Sequence, residues 1–297
     1  MISIIITSFK EPQTIGKTIE SIISQELREA YELIITAPDD ATLTVAKSYQ
    51  IKHPKKNISI YRDPGKGKSY ALNLLLKKAK GRILFFTDGD VYLSPEAINS
   101  MLDEFEEEKV GCVTGRPVPQ EDKSTKYGYW SHFLFDAAHT LRLKLKRENK
   151  FLECSGYLWA FRAGIVDSIP LNVAEDTVVP YVFYEKGYKI SYAPQAKVYI
   201  KNVDNFKDWL KQKIRTSKAH ETLGEHINLD TAPRVKTFFN EAKGITLLFT
   251  YPRSFKEFYW TIQLILARLY MWAKVFYDTK LKNKQYTDAW ERVESTK

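Results

Sequence analysis

The chain is organised around residues 82–90, where Ile83, Leu84, Phe85 and Phe86 form an unbroken apolar run that stops at Asp88-Gly89-Asp90. Such a run fits a strand buried on both faces, as in parallel sheets covered by helices on either side. Ligands of open α/β sheets sit outside the carboxyl ends of the strands, so two acids at that end are placed for chemistry. Period-2 spacing would put the two carboxylates on opposite faces of an ideal strand. Gly89 is expected to let the chain turn and aim both into one crevice. One or two carboxylates plus substrate phosphates suit Mg²⁺ or Mn²⁺. The plainer alternative is a polar turn closing a strand.

The flanking sequence repeats the pattern. Ile2–Thr7, Tyr31–Thr36 and Ile58–Tyr61 read as strands. Between them lie a helix opened by Glu11-Pro12 and striped by Ile15, Ile19, Ile22 and Ile23, and a second over residues 41–50. A third, Ser69–Lys80, is expected to close on Gly81. Strands alternating with helices predict an α/β fold with a doubly wound, mostly parallel sheet. Further on, Ser94-Pro95 signals a helix running to about Glu108, followed by a strand at Val110–Thr114. An aromatic helix over 125–147, a strand at Tyr157–Phe161 and a helix at Val178–Lys186 come next. Two short strands, Tyr188–Ala193 and Lys197–Ile200, precede a helix from Asn205 to Thr222. A chain of 297 residues holds one such domain with an appendage.

Charge is uneven. Residues 201–297 carry 18 Lys/Arg against 11 Asp/Glu, so +7 of the chain's +9 lies in its last third. That balance favours an anionic partner surface such as phospholipid. Cys112 and Cys154 form no Cys-x-x-Cys motif, and strand one begins at Ile2 without a basic leader; both lead to an expected cytoplasmic setting. The five histidines show no zinc spacing, and His220 reads as a surface residue.

Several polar groups fall at strand ends on one sheet edge. Thr7 and Ser8 follow strand one, and Asp39-Asp40 follow strand two; Asp40 is expected to cap the next helix and leave Asp39 facing the crevice. Gly65-Lys66-Gly67-Lys68-Ser69 lacks Walker A spacing, yet two lysines on a glycine loop at a helix N-terminus suit phosphate. Glu175-Asp176 reads either as an acidic helix start or as a general base. Gln212 and Arg215 share one helix face, where an amide and a guanidinium can meet a diphosphate or a polyhydroxylated acceptor.

In order and spacing these segments resemble the family 2 glycosyltransferases of GT-A fold, over about residues 1–220. The matching stretches are Ile4 to Phe9 with Glu11, Gly67 to Asn73, Thr87 to Asp90, Ala174-Glu175-Asp176 and Gln212 to Arg215. The resemblance implies an inverting transferase that uses a nucleotide-diphosphate sugar and a divalent cation, Mn²⁺ or Mg²⁺. It implies that Asp88 contacts the nucleoside and, with Asp90, the metal. Thr7, Ser8, Glu11 and Asp39 would line the nucleoside pocket, and Lys68 would lie near the diphosphate. Asp176 would be the catalytic base, with Glu175 beside it. Gln212 and Arg215 would face the diphosphate or acceptor. Two departures from the polymer-forming members favour single-sugar transfer: Thr216 stands where they carry Trp after Gln-x-x-Arg, and the flanking transmembrane bundle is absent. The expected division is a nucleotide-sugar half (about 1–115), an acceptor half (116–225) and a basic, aromatic C-terminal region (226–297).

Two other functions compete. A sugar-phosphate nucleotidyltransferase would carry a glycine-rich loop directly after strand one, and residues 7–11 hold none. A non-catalytic membrane- or nucleic-acid-binding module is disfavoured by the intact Asp88, Asp90 and Asp176, and no nucleic-acid partner is expected. Residues 258–277 form a 20-residue aromatic stretch long enough to span a bilayer, but with Arg268 near its centre. Glu257, Thr261 and Arg268 are expected to form a narrow polar stripe on it, with Lys280, Lys282 and Lys284 following. That pattern suits a helix lying in the headgroups of an anionic, cytoplasmic leaflet, with a lipid-linked acceptor; the alternative is a helix packed on the catalytic domain.

Overall fold

A computed structural model of the chain describes residues 1–221, 223–228, 233, 235 and 247–281. Lys282, Lys284 and the first residues of the apolar 244–251 stretch lie outside them. Eight strands form one sheet: β1 (Ile2–Thr7), β2 (Tyr31–Ala37), β3 (Ile58–Arg62), β4 (Ile83–Asp88), β5 (Tyr92–Leu93), β6 (Val110–Pro119), β7 (Leu158–Arg162) and β8 (Lys189–Ile200). Their order is β3-β2-β1-β4-β7-β6-β8-β5.

The first four ordered strands are parallel, and Thr7 pairs with both Thr36 and Asp88. This register brings the polar ends of β1, β2 and β4 to one edge. Beyond β4 the sheet changes: β7 runs antiparallel between β4 and β6, while β6 and β8 are parallel. The sheet is thus mostly parallel but mixed. The two short strands expected at 188–200 are one strand, β8, whose pairing with β6 is shifted at two irregularities.

Helices α1 (Ile15–Ile23), α2 (Asp40–Lys52), α3 (Lys68–Leu76) and α4 (Ala97–Glu104) connect the first strands. Residues α5 (Lys126–Arg147), α6 (Glu175–Glu185) and α7 (Phe206–Glu221) follow; after a single turn at Leu247–Thr250 comes α8 (Phe255–Phe276). Isoleucines of β1 and α1 pack with Phe85 on one face of the sheet, and Phe86, Trp159 and Phe161 stack on the other.

Several helix ends depart from expectation. Helix α1 begins four residues after Glu11, whose carbonyl accepts the Ile15 N–H at 3.1 Å. Helix α3 stops at Leu76, so Gly81 is not its terminator. Gly81 instead permits a close crossing of β1, since a Cβ there would lie 2.2 Å from the Ser3 nitrogen. Helix α4 spans only Ala97–Glu104.

Helix α8 packs against α5 and α7. The Tyr129 and Thr261 hydroxyls lie 2.7 Å apart, Trp130 Nε1 donates to the Trp260 carbonyl at 2.8 Å, and Met271 and Trp272 are buried with Trp209. Thr261 therefore faces the core, which breaks the expected polar stripe. Among the described residues no helix is long and apolar enough to cross a membrane.

Candidate active site

The site lies where β1, β2 and β4 end, and the Asp-Gly-Asp turn is built by exclusion of volume. A Cβ on Gly89 would fall 2.2 Å from Ser8 Oγ and 2.7 Å from Glu11 Oε2. Its φ is not positive, so glycine is required here for space and not for a special backbone conformation. The Ser8 hydroxyl donates to Glu11 at 2.6 Å, and the Gly89 N–H donates to the Thr7 carbonyl at 3.0 Å. β1 and β4 are thereby locked together at the crevice.

Asp39 departs from expectation. It is itself the cap of α2: Oδ1 accepts the Thr42 N–H at 3.0 Å, and Oδ2 accepts the Lys10 N–H at 2.7 Å. Although burial opposes it, these hydrogen bonds hold the carboxyl below its ordinary range. Lys10 reaches Asp39 by taking a left-handed backbone, φ 55°, which is uncommon outside glycine. Asp40 instead pairs with Arg62 at the surface. Asp39, Lys10, Glu11 and Asp90 together line a cleft of about 200 Å³.

The glycine loop carries Lys68 inward. Gly65 and Gly67 have φ of 69° and 105°, and the Gly65 N–H donates to Asp63 Oδ1 at 2.8 Å. Asp63 is buried at the end of β3, and burial raises its pKa. The Lys68 ammonium sits 2.8 Å from both Asp88 Oδ1 and Glu175 Oε1. Burial works against its charge, but those two carboxylates hold its pKa well above the ordinary value. Asn73, one helical turn on from Ser69, clasps Ile169 in both directions: its amide nitrogen donates to the carbonyl and its amide oxygen accepts the N–H, each at 2.7 Å. The stretch from Gly67 to Asn73 thus fixes both the lysine and the loop leading to α6.

Neighbouring acids at the start of α6 have different surroundings. Glu175 is buried against Lys68, and burial raises its pKa even though the lysine opposes the shift. Asp176 turns the other way: Oδ2 accepts the Gly156 N–H at 2.7 Å, while Oδ1 makes no hydrogen bond to a described residue.

Sequence reasoning missed Tyr157. Burial, then Asp90 and Asp88, raise the pKa of its hydroxyl, with Arg215 opposing and Asp176 adding to the rise. One half-buried phenol therefore lies within electrostatic reach of four of the singled-out residues. No spacing in the sequence marks it. On α7, Gln212 Oε1 is buried without a hydrogen-bond partner, an acceptor available to a ligand hydroxyl. His220 is buried beside Glu153, 3.6 Å away, and is not a surface residue.

Among the described residues no three His, Cys, Asp or Glu side chains gather into a metal site. A hard divalent ion needs only one or two carboxylates when substrate phosphates complete its shell. Asp88 and Asp90 fit that requirement: both act on the Tyr157 hydroxyl, and Asp88 Oδ2 makes no hydrogen bond to a described residue.

The model of glycosyl transferase family 2 matches residues 3–169, more than half of the chain. The chain belongs to that family. Similar curated proteins include the poly-beta-1,6-N-acetyl-D-glucosamine synthases of Staphylococcus aureus, 23% identical over 75% of this chain and 55% of theirs, and of Staphylococcus epidermidis, 23% over 80% and 58%. The chain therefore spans little more than half the length of these relatives. Among solved structures, a mannosyltransferase from Pyrobaculum calidifontis in complex with GDP-Man and Mn²⁺ superposes with a TM-score of 0.63, at 16% identity over 95% of this chain and 80% of that one. S. aureus TarS in complex with UDP-GlcNAc gives 0.52, at 16% identity over 89% and 79%. The fold of this family 2 member is GT-A.

Proposed function

We propose that the protein is an inverting glycosyltransferase that moves one sugar from a nucleotide-diphosphate sugar to an acceptor hydroxyl. The single observation that carries the reading is the opposed setting of the two acids on α6: Glu175 is tied to Lys68, whereas Asp176 presents one carboxylate oxygen without a partner among the described residues. In this reading Thr7, Ser8, Glu11 and Asp39 bind the nucleoside in the cleft at the end of β1 and β2. Lys68 lies near the diphosphate and pairs with Asp88. Asp88 and Asp90 would hold a divalent cation, which when bound neutralises charge on the leaving diphosphate. Asp176 takes the proton of the acceptor hydroxyl as its oxygen bonds to the anomeric carbon. The bond to the diphosphate oxygen breaks and its electron pair leaves with the nucleotide. One displacement from the opposite face inverts that carbon and needs no enzyme nucleophile. Gln212 and Arg215 orient the diphosphate or the acceptor. Residues 1–115 serve as the nucleotide-sugar half, 116–225 as the acceptor half and 226–297 as the C-terminal region.

The GDP-Man and UDP-GlcNAc bound in the two structural neighbours support a nucleotide-sugar donor, and the mannosyltransferase contains Mn²⁺. We further propose that α8 rests on an anionic, cytoplasmic membrane face and that the acceptor is lipid-linked. Support comes from Tyr259, Ile262, Leu266 and Leu269, exposed on one side of α8, with Arg253, Lys256 and Lys274 exposed toward its ends.

A thermal-shift screen of UDP-, GDP- and dTDP-sugars with Mn²⁺ tests the donor reading, because occupancy of the folded state raises the melting temperature. One nucleotide class should stabilise the protein, and Asp90→Ala should lose the Mn²⁺-dependent part of that shift without unfolding. No shift with any sugar nucleotide, or an unchanged metal response in Asp90→Ala, would overturn it.

A further inference from the structure

Arg142 lies on the face of α5 that crosses β6 and β8. It is 9% exposed, solvent reaches its guanidinium nitrogens, and no hydrogen bond or ion pair joins them to a described residue; the guanidinium carbon lies 6.0 Å from the centroid of the Tyr192 ring. The neighbours do not supply the missing anion. Tyr192 OH is engaged with His139 Nδ1 at 2.7 Å. Arg116, 28% exposed at the mouth of the group, has only a long 3.9 Å contact with Asp136. Burial and then Arg116 lower the His139 pKa, with Arg142 adding to the fall, so this ring is neutral at pH 7 and offers polar contact without charge. The cluster connects to the transfer site through the backbone: Thr114 pairs with Tyr192 across β6 and β8, its Oγ1 accepts the Ser155 N–H at 2.9 Å, and the next N–H, of Gly156, donates to Asp176 at 2.7 Å.

We propose that Arg142 and Arg116, on the floor formed by Tyr192 and His139, bind an anionic group of the acceptor, a phosphate or a carboxylate, next to the hydroxyl that Asp176 deprotonates. This rests on the glycosyltransferase reading and deepens it by giving the acceptor a charge. A guanidinium suits planar or tetrahedral oxyanions because its fork of donors can meet two oxygens at once.

The probe is inorganic phosphate, titrated by thermal shift with UDP or GDP and Mn²⁺ held saturating so that the donor side is occupied. Phosphate should still stabilise the wild-type protein. Arg116→Gln, at a part-exposed position, should weaken the phosphate response about tenfold or more and leave nucleotide binding intact. Arg142→Lys keeps the charge but not the fork and should weaken it as well. Should Arg142→Lys fail to fold, Arg116→Gln decides. Equal phosphate responses in wild type and Arg116→Gln, or a response abolished by saturating nucleotide, would overturn the proposal. If neither nucleotide binds, the donor reading falls while the phosphate readout still stands. Competition separates the sources: farnesyl monophosphate displacing phosphate best assigns the charge to a lipid, glycerol phosphate to a polyol phosphate, and glucuronate to an acidic sugar. Displacement by none of the three overturns the acceptor assignment.

Discussion

Two regions break the usual rule of burial in opposite senses. At the sheet edge charges are inside: Lys68 and Glu175 are paired out of solvent, and Asp63 is 3% exposed. On α8 apolar groups are outside: Phe255 is 95% exposed and Leu266 61%, along a stripe that continues through Leu269 and Tyr270. Both arrangements cost stability in the isolated fold, and neither is required by packing. The edge holds its charges by partners within the chain. The α8 stripe has no counterpart among the described residues. A buried charge that is satisfied points to chemistry, whereas an exposed stripe points to a surface.

The largest effect should come from the edge. Asp176→Asn removes the proton acceptor while keeping the Gly156 N–H contact, so turnover should fall about 10²–10⁴-fold with donor binding nearly unchanged. Single-turnover assays beside donor titrations check this. Equal turnover would move the base to another group and remove the contrast between Asp176 and Glu175. Loss of donor binding alongside turnover would make Asp176 a donor contact instead.

Glu175→Gln should act next, and in an unexpected direction. Burial raises the Glu175 pKa, so the folded state prefers the protonated acid. Its ionised form therefore lowers stability at pH 7. That cost is relieved as pH falls through the raised folded value toward the ordinary 4.5. By this linkage a neutral isostere should be more stable than wild type at pH 7 and indistinguishable from it below about pH 4. Activity should fall, because Lys68 loses one of its two positioning carboxylates. Melting curves from pH 4 to 8 decide: a variant less stable at pH 7 would show that the Lys68 pairing outweighs desolvation.

Much of this edge was legible in the sequence because its residues come as short motifs at strand ends, where register alone brings Thr7, Asp39 and Asp88 together. The apolar run at 83–86 and the helix–strand alternation were enough to place β1 to β4. The second half was harder to read. The antiparallel β7 has the same composition as a parallel strand, and only pairing with β4 and β6 reveals its direction. Tyr157 and Arg142 belong to the site or its border by depth, and depth leaves no local pattern. Gly89 and Gly81 were visible as glycines, but the crowding by Ser8 and Ser3 that demands them is tertiary. Asp39 and Asp40 were equally good caps by composition, and the left-handed turn at Lys10 settles which one is used.

The smallest effect on stability should come from the outer face of α8, and it separates packing from docking. Leu264 is 2% exposed against the α5–α7 cluster, so Leu264→Ala should lose about 2–5 kcal/mol. Leu266→Glu lies two residues away on the opposite face and should change stability by no more than about 0.5 kcal/mol, since no core contact is removed. If that stripe meets a membrane, the same substitution should weaken co-sedimentation with anionic liposomes. It both removes apolar area from the contact and sets a carboxylate against the lipid charge. Binding should also decline as salt rises, because the basic residues Arg253, Lys256 and Lys274 act through a screened attraction. Liposome binding that is absent at every salt concentration, or equal in Leu266→Glu and wild type, would remove the membrane from this side of the comparison. A large loss of stability in Leu266→Glu would show that the stripe is held by contacts within the chain.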